Sequence, residues 1–303
     1  GKKSLHKQWI NQNANYDLVL IPYEKINYIN RLNCTVTETK KGQKWKPIYQ
    51  YILENFKIIL NYDFIMIPDD DLDISYDKLN KLFAQIKFDK PAISQPSLSH
   101  KSYYLHAITL NFPNLYARET SFVEIMTPIF NIEALISLFW TFNLNSSGWG
   151  LEPLWYKIIK NKKFSNCQSK LIIYDNISVT HTRPVGGQNR GINERDDTPN
   201  MELRKILREW NLSFSFKIHS LKVDKKNLYQ LNWSFLNEKN FENYLVNSSK
   251  ELVNITKSGV LQNSNLSRIE KELKSLLPRN LIKEVFKNRE EFIFEKNINL
   301  DYT

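Results

Sequence analysis

The chain of 303 residues and 36.0 kDa has room for one large domain or two ordinary ones, and its 42% apolar and 24% charged residues exclude wholesale disorder. Lys and Arg total 42 against 32 Asp and Glu, a surplus of +10 that favours anionic partners such as nucleic acid, acidic lipid headgroups or diphosphate-bearing ligands. No window approaches 18 uninterrupted apolar residues and no charged segment leads into an apolar one at the start, so neither a spanning helix nor a secretory signal is expected; the first residue is Gly1, which leaves an upstream segment open.

In chain order, Leu18-Val19-Leu20-Ile21 reads as a buried strand, and Ile48, Tyr51, Ile52, Leu53 and Phe56 recur at helical spacing. Phe64-Ile65-Met66-Ile67 is a second buried strand, stopped by Pro68. Leu79, Leu82, Phe83 and Ile86 mark one face of a helix, as do Ile132, Leu135, Ile136, Phe139 and Trp140. Strand signals return at 171–174 and 177–179. Strands alternating with amphipathic helices from about residue 15 to 200 predict an α/β layer structure. Beyond about 205 the text turns rich in Lys, Asn and Glu, and Leu266, Ile269, Leu273, Leu276 and Leu277 form a helical stripe closed by Pro278. The expected organisation is therefore an α/β domain over 1–204 and a mainly helical C-terminal extension over 205–303.

Cys34 and Cys167 are too few and too far apart for a disulfide framework or a zinc cluster, and read as reduced thiols of a cytoplasmic protein. The densest basic run, Lys40, Lys41, Lys44 and Lys46, is short and has no aromatic-basic motif beside it, so nucleic acid is not an expected partner. A weak peripheral attraction to an anionic membrane at its inner face is more readily accommodated.

The sharpest feature is Asp69-Asp70-Asp71-Leu72-Asp73, four acids within five residues directly after a hydrophobic strand. Packed carboxylates repel one another and favour a cation, and the rim of an open α/β sheet is where ligands bind. Asp69 and Asp71, alternate residues, suit a shared hard divalent ion bridging the phosphates of a nucleotide. The competing reading is a solvated acidic loop that caps the next helix, with Asp73 or Ser75 as N-cap. A calcium loop starting at Asp69 fails, because Ile74 and Asn80 stand where Gly and Glu are required. A haloacid-dehalogenase-type phosphatase motif is matched only roughly by Asp71-Leu72-Asp73-Ile74-Ser75.

Ser147-Gly148-Trp149-Gly150-Leu151-Glu152 lies between two predicted helices. Two glycines allow a tight turn that presents the Trp149 ring as a stacking face for a sugar, and Glu152 beside it is a candidate general base with a pKa raised by burial. The same residues also read as a plain helix start, with Glu152 favoured by the helix dipole and Pro153 in the first turn. His181 ends a strand and is a candidate third metal ligand, or simply a hydrogen-bonded structural residue. The loop after it, with Arg183, Gly186, Gly187, Arg190 and Gly191, is expected to close over a diphosphate through its arginines. His100 and His106 read as structural.

Taken in order, Asp69-Asp70-Asp71-Leu72, Ile93-Ser94-Gln95-Pro96, Phe122 through Phe130, Gly148-Trp149-Gly150-Leu151-Glu152 and His181 resemble a domain-of-unknown-function family of plants and bacteria that belongs with the GT-A glycosyltransferases. Ser4-Leu5-His6 with Trp9, and Gly42-Gln43-Lys44-Trp45, fit the same pattern, which covers about residues 1–190. The layout is also similar to that of the β-1,4-galactosyltransferases. The resemblance implies a GT-A (Rossmann-like) nucleotide-sugar-binding sheet flanked by helices. It implies Mn2+ or Mg2+ held by Asp71 and His181, with Asp69 on the metal shell or the ribose, and a nucleoside-diphosphate sugar, UDP-linked by preference, approached by Lys44, Asp70, Arg183 and Arg190. It implies Glu124 and Trp149 at a glycan or lipid-linked acceptor, Glu152 as base, and inversion at the anomeric carbon. The expected activity is sugar transfer in bacterial surface polysaccharide synthesis. The rival expectation is a non-catalytic glycan- or nucleotide-binding protein on the same fold.

Overall fold

A computed structural model describes residues 3–24, 34–99, 101–112, 115–184 and 199–223. Near its start, β1 (Val19–Leu20) pairs in parallel with β2 (Thr35–Val36) as a separate two-stranded sheet. The strand expected to be buried over 18–21 is thus short, and Val19 is exposed, because a two-stranded ribbon covers only part of its own surface. In α1 (Trp45–Glu54) the inward stripe is Trp45, Ile48, Tyr49 and Ile52, so Leu53, predicted on the buried face, lies at the surface. A short α2 (Phe56–Ile59) leads into β3 (Phe64–Met66), which is half-buried rather than fully buried because it forms an edge of the main sheet.

The acidic turn separates β3 from β4 (Leu72–Asp73). Ser75, one of the two expected caps, opens α3 (Tyr76–Asp89) by accepting the Lys78 N–H, and the predicted stripe of Leu79, Leu82 and Ile86 is buried. β5 (Pro91–Leu98) buries all eight of its residues, as a strand covered on both faces must. β6 (Leu115–Thr120) and β7 (Ile129–Asn131) follow, and the Asn131 side chain caps α4 (Ile132–Leu138) through the Glu133 N–H. The helix predicted to reach Trp140 stops at Leu138 and tightens into a 3₁₀ turn over Phe139–Asn143; α4 packs inward through Ala134, Leu135 and Leu138, so Ile136 and Trp140, both predicted on the buried face, lie at the surface. α5 (Leu151–Lys160), β8 (Gln168–His181), α6 (Pro199–Glu209) and β9 (Ile218–Val223) complete the described chain.

The main sheet is mixed, in the order β3-β7-β5-β8-β6-β9, with β4 pairing β8 beside this path. Only β5 and β8 run parallel as neighbours; the other pairs are antiparallel. Helices cover both faces. Leu79, Leu82 and Ile86 of α3 cluster with Ile172, whereas Ile52, Leu135 and Trp155 of α1, α4 and α5 cluster with Leu171, so successive residues of β8 serve opposite layers. β9 lies at the sheet edge beyond β6, while the Leu266–Leu277 stripe and most of the expected helical extension lie outside the described residues. No helix among the described residues is long and apolar enough to cross a membrane.

The strands expected at 171–174 and 177–179 are one strand interrupted by a bulge. Register against β5 passes from Pro96↔Tyr174 to Ser97↔Ser178 and leaves Asp175 to Ile177 unmatched. Asp175 uses that freedom to meet Arg118 of β6 in an ion pair with both side chains fully buried, Nε to Oδ2 at 2.7 Å and Nη2 to Oδ1 at 3.0 Å. The guanidinium also donates to the Ile108 and Leu110 carbonyls, and Asp175 accepts the Phe112 N–H, so the pair ties the 108–112 segment to the sheet. Arg118→Ala strands a buried carboxylate and is expected to cost about 3–5 kcal/mol, read as a lowered urea midpoint at unchanged slope.

Candidate functional site

Backbone hydrogen bonds assemble the site before any side chain is considered. The Ile67 N–H donates to the Pro128 carbonyl at 2.9 Å and the Asp69 N–H to that of Met126 at 2.8 Å, which fastens the acidic turn to the 122–130 segment. Past the turn, β4 pairs with the end of β8, Leu72 opposite His181 and Asp73 opposite Thr180. Thr182 donates to the Asp71 carbonyl from both its N–H (3.1 Å) and its hydroxyl (2.8 Å). The Ser102 hydroxyl accepts the His181 N–H at 3.1 Å, and the Tyr103 N–H donates to the His181 carbonyl at 3.0 Å. Through these constraints Asp69, Asp71 and His181 each bring one ligand atom within 4.8 Å of the other two.

The protonation geometry of His181 is fixed by its neighbours. Nδ1 lies 2.8 Å from the Tyr103 carbonyl, which can only accept, so Nδ1 carries the proton. Nε2 then directs its lone pair at Asp71 Oδ2, 3.3 Å away, and two lone pairs so close need a cation between or beside them. In the absence of a metal that cation is a proton. Burial opposes it, but the hydrogen bond and charge of Asp71 outweigh burial and raise the His181 pKa; in turn, His181 and Arg183 outweigh burial at Asp71 and lower its pKa. The second oxygen, Asp71 Oδ1, is buried without a hydrogen-bond partner. Two cis ligands of an octahedral Mg2+-sized ion lie about 3 Å apart, and two carboxylates with an imidazole are a donor set that hard or borderline divalent ions accept. These side chains therefore fit such an ion.

Two cations already press on the aspartates. Lys44 Nζ donates to Asp69 Oδ1 and to the Ile125 carbonyl, both at 2.7 Å. Arg183 places Nε 3.0 Å from Asp71 Oδ2 and Nη2 2.5 Å from Asp70 Oδ1. The predicted phosphate-binding cations are thus gathered at the acids themselves. Arg190 lies outside the described residues, as does His100. Asp73 is exposed and contributes nothing to the ligand cluster, which counts against the phosphatase motif. His106 packs among Phe122, Phe214 and Phe216, the structural surroundings expected of it.

The Gly-Trp-Gly segment forms a tight turn before α5. Gly148 has φ of +80°, and a Cβ there would fall 2.0 Å from Trp45 Nε1, so the turn packs directly on the buried Trp45 ring. Asn145 braces the turn, accepting the Gly148 N–H at 2.8 Å and donating to the Trp149 carbonyl at 2.9 Å. From α6, Glu202 accepts the N–H groups of Ser146 and Ser147 at 3.0 and 2.9 Å. Trp149 is half-buried. Glu152, on the first turn of α5, is buried and accepts the Gly150 N–H at 3.2 Å together with the Ile125 N–H. Burial pushes its pKa up to about 7 against those hydrogen bonds. Glu124 is buried as well; burial first and the charge of Glu152 second push it to about 8, with His181 opposing. Its Oε2 has no hydrogen-bond partner.

The sequence reading brought Asp69, Asp71, His181, Lys44, Asp70 and Arg183 to one place, with Glu124 and Glu152 electrostatically coupled beside them. It missed Tyr103, Ser102 and Thr182, which act mostly through backbone or hydroxyl groups and leave no pattern. It missed Glu202 and Asn145 too; the only available signal was the proximity of Asn145 to the two glycines. Compared with known proteins, the chain matches no family model and no curated protein.

Glu124 and Glu152 both titrate higher in the folded protein than in the unfolded chain, so in chelator the native state binds more protons than the unfolded state between about pH 4.5 and 8. Stability should therefore fall across that window, by roughly 1.4 kcal/mol per pH unit for each group while it alone stays protonated. Glu124→Gln is expected to flatten this fall and to leave the protein more stable than wild type at pH 8.5, measured by urea unfolding in EDTA.

Proposed function

We propose that the chain is a metal-dependent glycosyltransferase of GT-A type that moves a sugar from a nucleoside-diphosphate sugar, UDP-linked by preference, to a hydroxyl of a glycan or lipid-linked acceptor. The observation that carries the reading is the convergence of Asp69, Asp71 and His181 with an unpartnered buried oxygen on Asp71, next to two buried glutamates of raised pKa. With His181 neutral, three aspartates against Lys44 and Arg183 leave one surplus negative charge. A divalent ion reverses that sign, and a diphosphate is the anion such a site then attracts.

Asp71, His181 and Asp69 would hold Mn2+ or Mg2+. When bound, the ion supplies charge neutralisation for a departing diphosphate. Lys44 and Arg183, which now serve the carboxylates, have the reach and charge to turn to phosphate oxygens once the acids are otherwise neutralised. Glu152 takes the proton of the attacking acceptor hydroxyl. Glu124, protonated at neutral pH, donates a hydrogen bond to a sugar hydroxyl, and Trp149 offers its ring as a stacking face. Attack in line with the leaving diphosphate inverts the anomeric carbon. The setting that matches these parts is surface polysaccharide synthesis.

One observation favours a second reading, binding without turnover: the Glu152 carboxylate is already engaged by backbone N–H groups, which is what a structural helix-start acid also does. The two readings separate in one set of measurements. Asp71→Asn is expected to abolish Mn2+-dependent nucleotide binding in calorimetry. Glu152→Gln should keep that binding within about twofold and lower donor hydrolysis or transfer by about 10²–10⁴-fold. Wild-type turnover should fall tenfold per unit below about pH 7, because the base must be ionised. Nucleotide affinity unchanged by chelator would overturn the metal role. Tight Mn2+-dependent binding with no turnover on a panel of UDP-, GDP-, CMP- and dTDP-sugars would favour the binding protein.

A further inference from the structure

Among the described residues, one apolar patch faces solvent beside the Gly-Trp-Gly turn. Ile136 and Trp140 stand four residues apart across the junction of α4 with the 3₁₀ turn, at 41% and 38% exposure, and Leu144, just past that turn, is 38% exposed. The half-buried Trp210, just after α6, lies against Trp140 with ring centroids 5.4 Å apart. Two lysines border this pair. Lys157 Nζ donates to the Trp210 carbonyl at 2.9 Å, and Lys162 Nζ to the hydroxyl of Ser137, the same residue whose carbonyl accepts the Trp140 indole N–H. Neither lysine is paired with a carboxylate in these contacts, and Lys160 and Lys163 lie close by in sequence.

Tryptophans flanked by aliphatic side chains and lysines match the chemistry of a bilayer interface: the rings and Ile136 enter the headgroup boundary while the ammonium groups meet acidic phosphates. We infer that this face is a peripheral docking surface for an anionic lipid bilayer. Charge complementarity selects lipid as the occupant. A second copy of the chain would set Lys157 and Lys162 against the same lysines across a twofold axis, whereas an acidic membrane compensates them all, and the chain as a whole carries +10. No helix among the described residues is long and apolar enough to span a membrane.

Leu144 is followed directly by Asn145, which braces the Gly148–Trp149 turn, so the patch and the proposed acceptor side are neighbours along the chain. If the glycosyltransferase reading holds, this orientation presents that side to a lipid-linked acceptor at the bilayer surface; this second step rests on that reading, while the docking surface does not.

Vesicle sedimentation of the full chain, without nucleotide or metal, tests the docking surface directly. The protein should pellet with vesicles of phosphatidylcholine and phosphatidylglycerol and stay in the supernatant with phosphatidylcholine alone. The double variant Ile136→Ser/Trp140→Ser should lower the bound fraction on the order of tenfold, and Lys162→Gln about fivefold. All these side chains are exposed, and an unchanged circular dichroism spectrum and melting temperature establish that the variants fold. Equal binding to neutral vesicles, or undiminished binding by the double variant, overturns the inference. So does a concentration-dependent dimer in sedimentation equilibrium that Trp140→Ser dissolves, since it identifies a second copy as the occupant. Loss of Mn2+-dependent nucleotide binding with vesicle binding intact would instead count against the glycosyltransferase reading alone.

Discussion

β4 is only two residues long, yet it lies antiparallel to the last turn of β8 and sets Leu72 opposite His181. Without that register the acidic turn would be a surface loop and the histidine a strand end some distance away. With it, Asp71 has a carbonyl held twice by Thr182 and a carboxylate facing an imidazole whose proton is fixed on the other nitrogen. β8 can supply the histidine because it is long and central: it begins beside β5, passes a bulge at Asp175, and ends beyond the sheet where β4 waits. The Arg118–Asp175 pair holds that bulge, so a buried ion pair on one side of the strand supports the Asp69–Asp71–His181 cluster at its end.

The charge arrangement would be a poor way to build a core. Three neighbouring aspartates, one of them 3.3 Å from a buried histidine, cost desolvation and mutual repulsion, and Lys44 and Arg183 offset only part of it. A purely structural cluster would have satisfied Asp71 Oδ1, as the Arg118–Asp175 network satisfies both oxygens of Asp175. The contrast within one molecule is instructive. Both sets are acid–base clusters at the same strand, but one is closed by bidentate geometry and backbone donors and the other keeps an unused acceptor. At Asp71 the unfilled acceptor lies beside a second carboxylate and an imidazole nitrogen, surroundings that accommodate an added cation.

Sequence periodicity located α1, α3, α4 and β8 because their apolar stripes are strongly patterned: Leu79, Leu82 and Ile86 went inside as spaced, whereas β5 and β6, broken up by proline, serine or charged residues, were not singled out as strands. It failed where the outcome depended on neighbours. Phe64–Met66 reads like any buried strand, and only the strand order makes it an edge; Ile136 and Trp140 continue a helical stripe in the text, yet α4 turns Ala134, Leu135 and Leu138 inward and leaves both at the surface. At the site, side chains with unusual chemistry in dense local patterns were legible: the aspartates, the two glycines around Trp149, and a histidine closing a strand. What orients them was not, because the Tyr103 carbonyl and the Ile125 peptide act through atoms every residue has, and Glu202 reaches the Ser146–Ser147 amides from a distant helix.

The backbone of Ile125 connects the two halves of the site. Its carbonyl accepts from Lys44, which holds Asp69, and its N–H donates to Glu152. The next residue, Met126, accepts the Asp69 N–H, and the one before, Glu124, is coupled electrostatically to Glu152 and His181. A ligand that draws Lys44 away from Asp69 therefore also removes the partner of the Ile125 carbonyl, while the Met126 carbonyl stays tied to the Asp69 N–H. The carbonyl and the N–H of Ile125 lie in successive peptide planes hinged at its Cα, so the Lys44 contact and the Glu152 contact are adjacent but separate constraints, and together they fix the backbone from Glu124 to Met126 between the aspartates and α5.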